Sequence, residues 1–284
     1  MKISRKCILM GTSLALAGCG GGGGYAVASL PPPPPPPPPP VTSALVLIPA
    51  ATTSQQFAVA GAARPTDDPA VRLGTADQLQ IRYVESSNSY QIELPNSPAW
   101  IDLTGKYETE AAGGGVTVTR QVGLQYSSLI DWFDSGSVRG VEAIGIATAA
   151  GAVPVTGSAT FNAIALGTTS ESRSSQLVSS FVQGAITLNF DFAQSSLSGS
   201  FNPILDPEWH DYDLGTFNFR DTVYSSGSTT FSGKFDTDLS GVNSFSGLFT
   251  GPNAQELIGN FALPYKSPID GLTYQSGGAF VGKK

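Results

Sequence analysis

The chain of 284 residues has room for one large or two modest domains, and it carries a net charge of −7. Charged residues make up only 13% of it, about half of the roughly 25% that is usual in globular domains. The plentiful aromatic residues exclude a disordered body, and the acidic balance argues against binding of nucleic acid or anionic lipid by charge.

The first 18 residues have the pattern of an export signal. Three basic residues lie within the first six positions, and the mostly apolar run 8–17 is too short to span a bilayer. Leu-Ala-Gly-Cys at 16–19 resembles the lipobox of bacterial lipoproteins, which are cut before the cysteine. The cysteine then receives a diacylglycerol on its sulfur and an acyl chain such as palmitate on its amine. We therefore predict a signal peptide over 1–18 and lipidation of Cys19; an ordinary secretory signal is the alternative.

Cysteine usage agrees with this prediction. Cys7 lies in the segment that would be removed and Cys19 would carry lipid, so the remaining sequence has no other cysteine. The mature protein is therefore expected to have neither a disulfide framework nor a thiolate metal site.

Residues 19–41 are predicted to form a lipidated linker rich in glycine and proline. The glycines at 20–24 give a flexible joint, and the ten prolines at 31–40 predict a polyproline II rod of roughly 30 Å. Because the rod directly follows the lipid site, we interpret it as a spacer. A ligand for a proline-reading domain is the alternative.

Residues 42–150 are predicted to be a strand-rich segment, because short stretches alternate apolar and polar residues. The clearest strand candidates lie at 79–84, 90–94, 100–103 and 116–122. Ser-Ser-Asn-Ser at 86–89 predicts a hairpin loop, and 128–133 fits either a helical turn or a strand. No stretch shows a long helical period of apolar residues.

From residue 151 to 284 the alternation strengthens, and glycine recurs two positions before phenylalanine. Residues two apart in a strand point to the same face, so each pair sets a missing side chain beside a large one. The pairs are Gly199/Phe201, Gly215/Phe217, Gly233/Phe235, Gly247/Phe249, Gly259/Phe261 and Gly278/Phe280.

The stretch 247–261 predicts an antiparallel hairpin with Pro-Asn-Ala-Gln-Glu at its tip. In the expected register Phe249 opposes Gly259 and Gly247 opposes Phe261, so each ring would shield a cross-strand glycine. Glycine at such sites also lets a sheet bend sharply. Repeated hairpins of this kind predict a small closed antiparallel barrel, since closure removes exposed edges.

Three parts of the sequence resemble the β-barrel domain of the transferrin-binding protein B family of surface lipoproteins. They lie at 153–161, at 184–192 with 197–201, and at 247–261 with 277–282. The Gly-Pro-x-Ala-x-Glu turn between Gly-x-Phe strands is the most specific element. The resemblance covers about residues 151–284, and the strands before it resemble the segment that precedes the barrel in single-barrel members.

The resemblance implies an all-β fold, in which an eight-stranded antiparallel, lipocalin-like barrel follows the strand-rich segment. It also implies a lipid-anchored protein exposed on the outer membrane of a Gram-negative cell. Such a protein would bind a protein or solute-carrier partner, such as a host protein that carries iron or haem, through its barrel loops, without catalysis or cofactor. Full transferrin receptors of the family carry two lobes, whereas one barrel is present here.

Two other interpretations of the sequence stay open. One is a structural envelope lipoprotein without a soluble ligand. The other is a transmembrane outer-membrane barrel, against which the lipobox and the final Lys283-Lys284 argue, since such barrels usually finish on an aromatic strand.

The loop Asp206–Asp213 is the candidate partner-binding site. Trp209 and Tyr212 are large aromatics of the kind that anchor interfaces, and His210 lies between them. His210 is surrounded by acidic residues, which could bind a divalent cation. A solvated loop is the simpler interpretation, and we predict no metal site.

Other chemical motifs are weak. Asp-Thr-Asp-Leu-Ser-Gly at 236–241 is similar to the start of a calcium loop, but Gly247 occupies the position of the closing glutamate, so a hairpin turn is predicted. A catalytic triad would need His210, and no Gly-x-Ser-x-Gly elbow supports one. Paired carboxylates for glycoside cleavage stay open. We predict that the protein is not an enzyme.

Overall fold

The computed structural model describes residues 45–65, 79–95, 97, 99–135, 138–171, 181–206 and 211–284. Cys19, the linker, Trp209 and His210 lie outside the described residues, so their predicted roles stay predictions.

The described residues form two antiparallel sheets, and their only helical element is a 3₁₀ turn at Glu85–Ser87. The first sheet contains β1 (Gln55–Gln56), β2 (Ala58–Pro65), β3 (Gln80–Val84), β4 (Ser89–Glu93), β5 (Trp100–Tyr107), β6 (Glu110–Gly113), β7 (Val116–Gly123), β8 (Ser127–Asp134) and β9 (Val138–Gly145). The second contains β10 (Ser158–Thr169), β11 (Phe181–Asp191), β12 (Ser196–Asp206), β13 (Tyr212–Asp213), β14 (Phe217–Val223), β15 (Thr230–Phe235), β16 (Ser244–Thr250), β17 (Glu256–Lys266) and β18 (Thr273–Lys283). The predicted all-β fold class is confirmed.

The first sheet has the strand order β1-β3-β4-β5-β6-β7-β8-β9-β2 and curls until it is nearly closed. Its two edge strands, β1 and β2, are separated in the chain by Phe57 alone. The predicted hairpin loop at 86–89 is confirmed: the 3₁₀ turn ends at Asn88, whose φ of 48° turns the chain into β4. Residues 128–133 lie in a strand, β8, with Ile130 and Trp132 buried in the core of this sheet.

The second sheet closes into a barrel of eight strands. Its order is β11-β10-β18-β17-β16-β15-β14-β12, with the short β13 added to β12, and β11 also pairs with β12 to complete the ring. The predicted closed antiparallel barrel is therefore confirmed.

The hairpin at 247–261 is present, but its predicted register is wrong. Gly247 lies opposite Gly259, and Phe249 lies opposite Leu257. Gly251 has a φ of 75° and opens the turn instead of ending the strand. Glu256 is drawn into the strand, where its carboxylate is held by hydrogen bonds from the first sheet.

Phenylalanine rings nevertheless cover the glycines of this hairpin. The rings come from β15 and β18, the strands that flank the hairpin, and not from within it. Phe280 lies opposite Gly259, and a Cβ on that glycine would overlap the Cζ atom of Phe280. Phe231 lies opposite Gly247 in the same way. The principle that the sequence suggested is confirmed with different partners, because each strand has two neighbours and local spacing does not say which one supplies the ring.

Phenylalanine rings fill the barrel interior. The rings of Phe190 and Phe249 lie 4.9 Å apart between centroids, and those of Phe201 and Phe261 lie 5.1 Å apart. The fully buried phenylalanines are Phe161, Phe190, Phe192, Phe201, Phe235, Phe249, Phe261 and Phe280. Rings at these separations form a packed core, in which each aromatic pair adds to the stability that burial supplies.

Candidate functional site: the loop end of the barrel

The connections β10–β11, β12–β14, β15–β16 and β17–β18 all lie at one end of the barrel, because neighbouring strands are antiparallel. We call their described residues, 170–171, 211–216, 236–243 and 267–272, the loop rim. Part of the predicted binding loop belongs to it.

Tyr212 is the one predicted contact residue that the structure describes. It begins the two-residue strand β13, where it pairs with Leu205 and lies half-buried against the barrel core. The carboxylate of Asp213 accepts a hydrogen bond from the Gly215 N–H at 2.8 Å, which fixes the chain beyond β13. This part of the loop is therefore ordered by strand pairing and by a turn, and Tyr212 exposes only part of its ring.

The loop rim is acidic. Its described residues include no basic side chain, and five of its aspartates are exposed: Asp211, Asp213, Asp236, Asp238 and Asp270. Arg220, on β14, lies 3.5 Å from Asp236 and 3.8 Å from Asp238, and all three side chains are exposed. Exposed pairs of this kind contribute at most about 1 kcal/mol and do not remove the negative potential.

Two aliphatic side chains stand out from this acidic surface. Val242 is 57% exposed and Leu272 is 60% exposed. The backbone of Val242 is held on both sides by Gln275, which accepts from its N–H and donates to its C=O, each at 2.9 Å. The loop that carries Val242 is thus tied to β18, which presents the side chain from a fixed position.

A buried polar network supports the loop rim from below. The Glu171 carboxylate accepts hydrogen bonds from the Tyr265 hydroxyl at 2.8 Å and the Ser267 hydroxyl at 3.0 Å. Burial raises the pKa of Tyr265 well above its ordinary value. Tyr265 therefore stays a neutral donor, and the network joins the ends of β10 and β17.

Metal binding has no support in the part of the chain that the structure describes, where no three His, Cys, Asp or Glu side chains could together hold an ion. The Asp236–Gly241 stretch forms the β15–β16 connection, as predicted for a hairpin turn. Among the described ranges, no helix has the length and hydropathy that a bilayer crossing needs.

Comparison with known families finds a match, which covers the barrel. Residues 153–284 match the family described as the C-lobe and N-lobe β-barrels of Tf-binding protein B. The barrel of this chain is similar to the transferrin-binding protein B barrels over that range. The resemblance stated from the sequence is confirmed, and the match begins at residue 153, shortly before β10.

Solved structures of transferrin-binding protein B also match this chain, at low sequence identity. A transferrin-binding protein B mutant from Haemophilus parasuis is 15% identical, with a TM-score of 0.46, over 80% of this chain and 45% of that one. The protein from Neisseria meningitidis is 15% identical, with a TM-score of 0.44, over 79% and 43%. This chain thus spans less than half the length of these relatives.

A shorter solved structure also matches. It is HpuA from Kingella denitrificans in complex with human haemoglobin, 13% identical with a TM-score of 0.41, over 82% of this chain and 89% of that one. No curated protein matches the chain.

The sequence pattern did not indicate that three glutamates would be buried in the folded protein. Glu142, Glu171 and Glu256 are all nearly inaccessible to solvent. Glu256 stands in the most specific motif of the sequence, but nothing near it in the chain indicates which groups its carboxylate would meet.

Proposed function

We propose that this chain is a surface lipoprotein, anchored to the outer membrane through Cys19, that binds a protein partner with the loop rim of its barrel. The barrel matches a family named for binding transferrin, and this match supports a non-catalytic binding role. We propose that the partner of this chain is a host protein that carries iron or haem.

The observation that carries the proposal is the contrast between the barrel interior and the loop rim. The interior is filled with packed phenylalanine rings, which leaves recognition to the outer surface. The loop rim combines five exposed aspartates with the exposed Val242 and Leu272. Protein interfaces combine apolar contacts with polar and charged ones. A partner that offers both basic and apolar side chains fits this rim.

The test uses purified full-length chain on a sensor surface, with human transferrin and haemoglobin as probes. Trp209→Ala should weaken binding by about thirtyfold or more, the usual loss for an aromatic anchor. Leu272→Asp should also weaken binding, because it replaces an exposed aliphatic side chain of the loop rim with a charge. The control Tyr107→Ala truncates a 69% exposed aromatic at the end of β5, away from the barrel, and should leave binding unchanged.

Melting temperatures separate a binding role from a structural one. If Trp209→Ala lowers the melting temperature and leaves binding unchanged, Trp209 folds back to close the barrel end and the rim proposal fails. If neither probe binds the wild-type chain, the alternative of a structural envelope lipoprotein gains support. The association rate should fall as salt rises, since the rim is acidic.

A further inference from the structure

Glu256 is a buried carboxylate at the end of the barrel opposite the loop rim. Its residue is 5% exposed. One oxygen, Oε1, accepts from the Gln125 N–H at 2.9 Å; the other, Oε2, accepts from the Tyr126 N–H at 3.0 Å and from the Ser127 hydroxyl at 2.7 Å. Gln125 and Tyr126 lie in the turn between β7 and β8, and Ser127 is the first residue of β8, so one barrel side chain holds the start of β8 and the turn before it.

Further directional contacts surround Glu256. The Thr148 N–H donates to the Phe249 carbonyl, and the Gly251 N–H donates to the Ile146 carbonyl, both at 2.9 Å. The ring of Tyr126 packs on Gly251, where a Cβ would lie 2.6 Å from its Cδ2 atom. The turn that precedes Glu256 is thus bonded to the segment leaving β9 and packed against the segment entering β8.

Away from Glu256 the contact between the two sheets is mainly aliphatic, although Arg64 of β2 donates a hydrogen bond to the Thr169 carbonyl of β10 and the guanidinium of Arg139 lies 4.3 Å from the centre of the Phe181 ring. Small aliphatic residues of the first sheet, including Ala60 and Ala143, pack on Ile258 and Ala279 of the barrel wall. Such contacts supply burial energy but tolerate small rotations, because dispersion has little angular dependence. Nearby the junction opens into a groove of about 560 Å³ beside β2, whose lining side chains are all uncharged.

We infer that Glu256 is a positioning residue that fixes the orientation of the first sheet on the barrel. Hydrogen bonds to a carboxylate are shorter and stronger than neutral ones, and their geometry is restrictive. Three such hydrogen bonds converge on the buried Glu256 side chain. They restrict the angle between the two sheets more tightly than the aliphatic contacts do.

This role also explains the Gly-Pro-x-Ala-x-Glu motif in this chain. Gly251 takes a φ of 75° and makes room for Tyr126. Ala254, with a φ of 53°, is fully buried beneath the turn, where a larger side chain would not fit without rearrangement. Both residues shape the turn that delivers Glu256 to its three donors.

The experiment compares wild type with Glu256→Gln in the full-length chain. Amide hydrogen exchange at Gln125 and Tyr126 should become about tenfold faster or more, as expected when a charged acceptor is lost, while exchange in β10–β12 stays unchanged. Residual dipolar couplings test orientation itself: one alignment tensor should fit both sheets in the wild type, and two different tensors should be needed in the variant.

Two controls make the outcome decisive. Glu108→Gln removes an exposed carboxylate from the β5–β6 turn and should change neither measurement. Ser127→Ala removes one of the three donors and should give a smaller change at the same amides. The inference is overturned if one tensor still fits both sheets in Glu256→Gln. It is also overturned if exchange rises equally throughout both sheets, because Glu256 would then contribute to overall stability and not to orientation.

Discussion

Replacement of Glu142 by glutamine should change how the stability of this protein depends on pH. Glu142 lies on β9 with its side chain wholly buried, opposite Ile130 on one side and Gly61 on the other. Its Oε1 accepts from the Leu79 N–H at 2.6 Å. Burial raises the pKa of Glu142 to about 8, and the Leu79 N–H and the nearby Trp132 indole only partly oppose this effect. Glu142 is therefore protonated in the folded protein at neutral pH.

The sign follows from the protons bound by each state. Between pH 4.5 and about 8 the unfolded chain has lost this proton and the folded protein has kept it, so stability falls as pH rises. The contribution is fully present below pH 4.5 and is lost by about pH 8. The two pKa values, 4.5 and about 8, differ by about 3.5, which at 1.36 kcal/mol per unit gives an upper limit of about 5 kcal/mol.

The assay is urea denaturation followed by tryptophan fluorescence at pH 5, 6.5 and 8, with Trp132 as a buried reporter beside the site. Glu142→Gln keeps the shape and the neutral charge of the protonated acid, so it should match wild type near pH 5 and exceed it increasingly towards pH 8. Glu108→Gln, an exposed replacement of the same kind, controls for removal of a carboxylate at the surface. A difference between Glu142→Gln and wild type that is the same at all three pH values would refute the reasoning.

The remaining predictions concern the barrel core and the anchor. Gly259→Val should cost about 1–3 kcal/mol in urea denaturation, because its side chain would overlap both the Phe280 ring and the Ser246 carbonyl oxygen. Adding Phe280→Ala should relieve the overlap with the ring and make the two effects non-additive, and simple addition would contradict that contact. Tyr265→Phe should cost about 1–3 kcal/mol by leaving the buried Glu171 carboxylate one donor short, and an unchanged melting temperature would argue against that network. Cys19→Ala should abolish lipid attachment and move the protein out of the membrane fraction; persistence there with wild-type mass would show that the lipobox interpretation is wrong.

Much of the fold was predictable because strand patterning is local. Alternation of apolar and polar residues identified β3, β4 and β7, and the polar stretch at 86–89 marked the hairpin between the first two. The Gly-x-Phe pairs indicated a bent, closed sheet, since glycine opposite a ring is a device for curvature. These patterns, together with the Gly-Pro-x-Ala-x-Glu motif that ends in Glu256, were enough to predict the barrel.

The sequence by itself determined the strand content, the closed barrel and the acidic, aromatic-bearing loop near Tyr212, because all three depend on residue type at short spacing. Tertiary structure alone decided which ring covers which glycine. Gly259 lies in β17, which pairs with both β16 and β18, and only the assembled barrel shows that the ring over it is Phe280 of β18. Tertiary structure also decided the roles of the buried acids. The donors to Glu256 lie about 130 residues earlier in the chain, and the donor to Glu142 lies 63 residues earlier. In a strand sequence, a glutamate predicts a side chain that faces solvent. Whether its carboxylate is instead buried and accepts hydrogen bonds depends on which distant part of the chain packs against it.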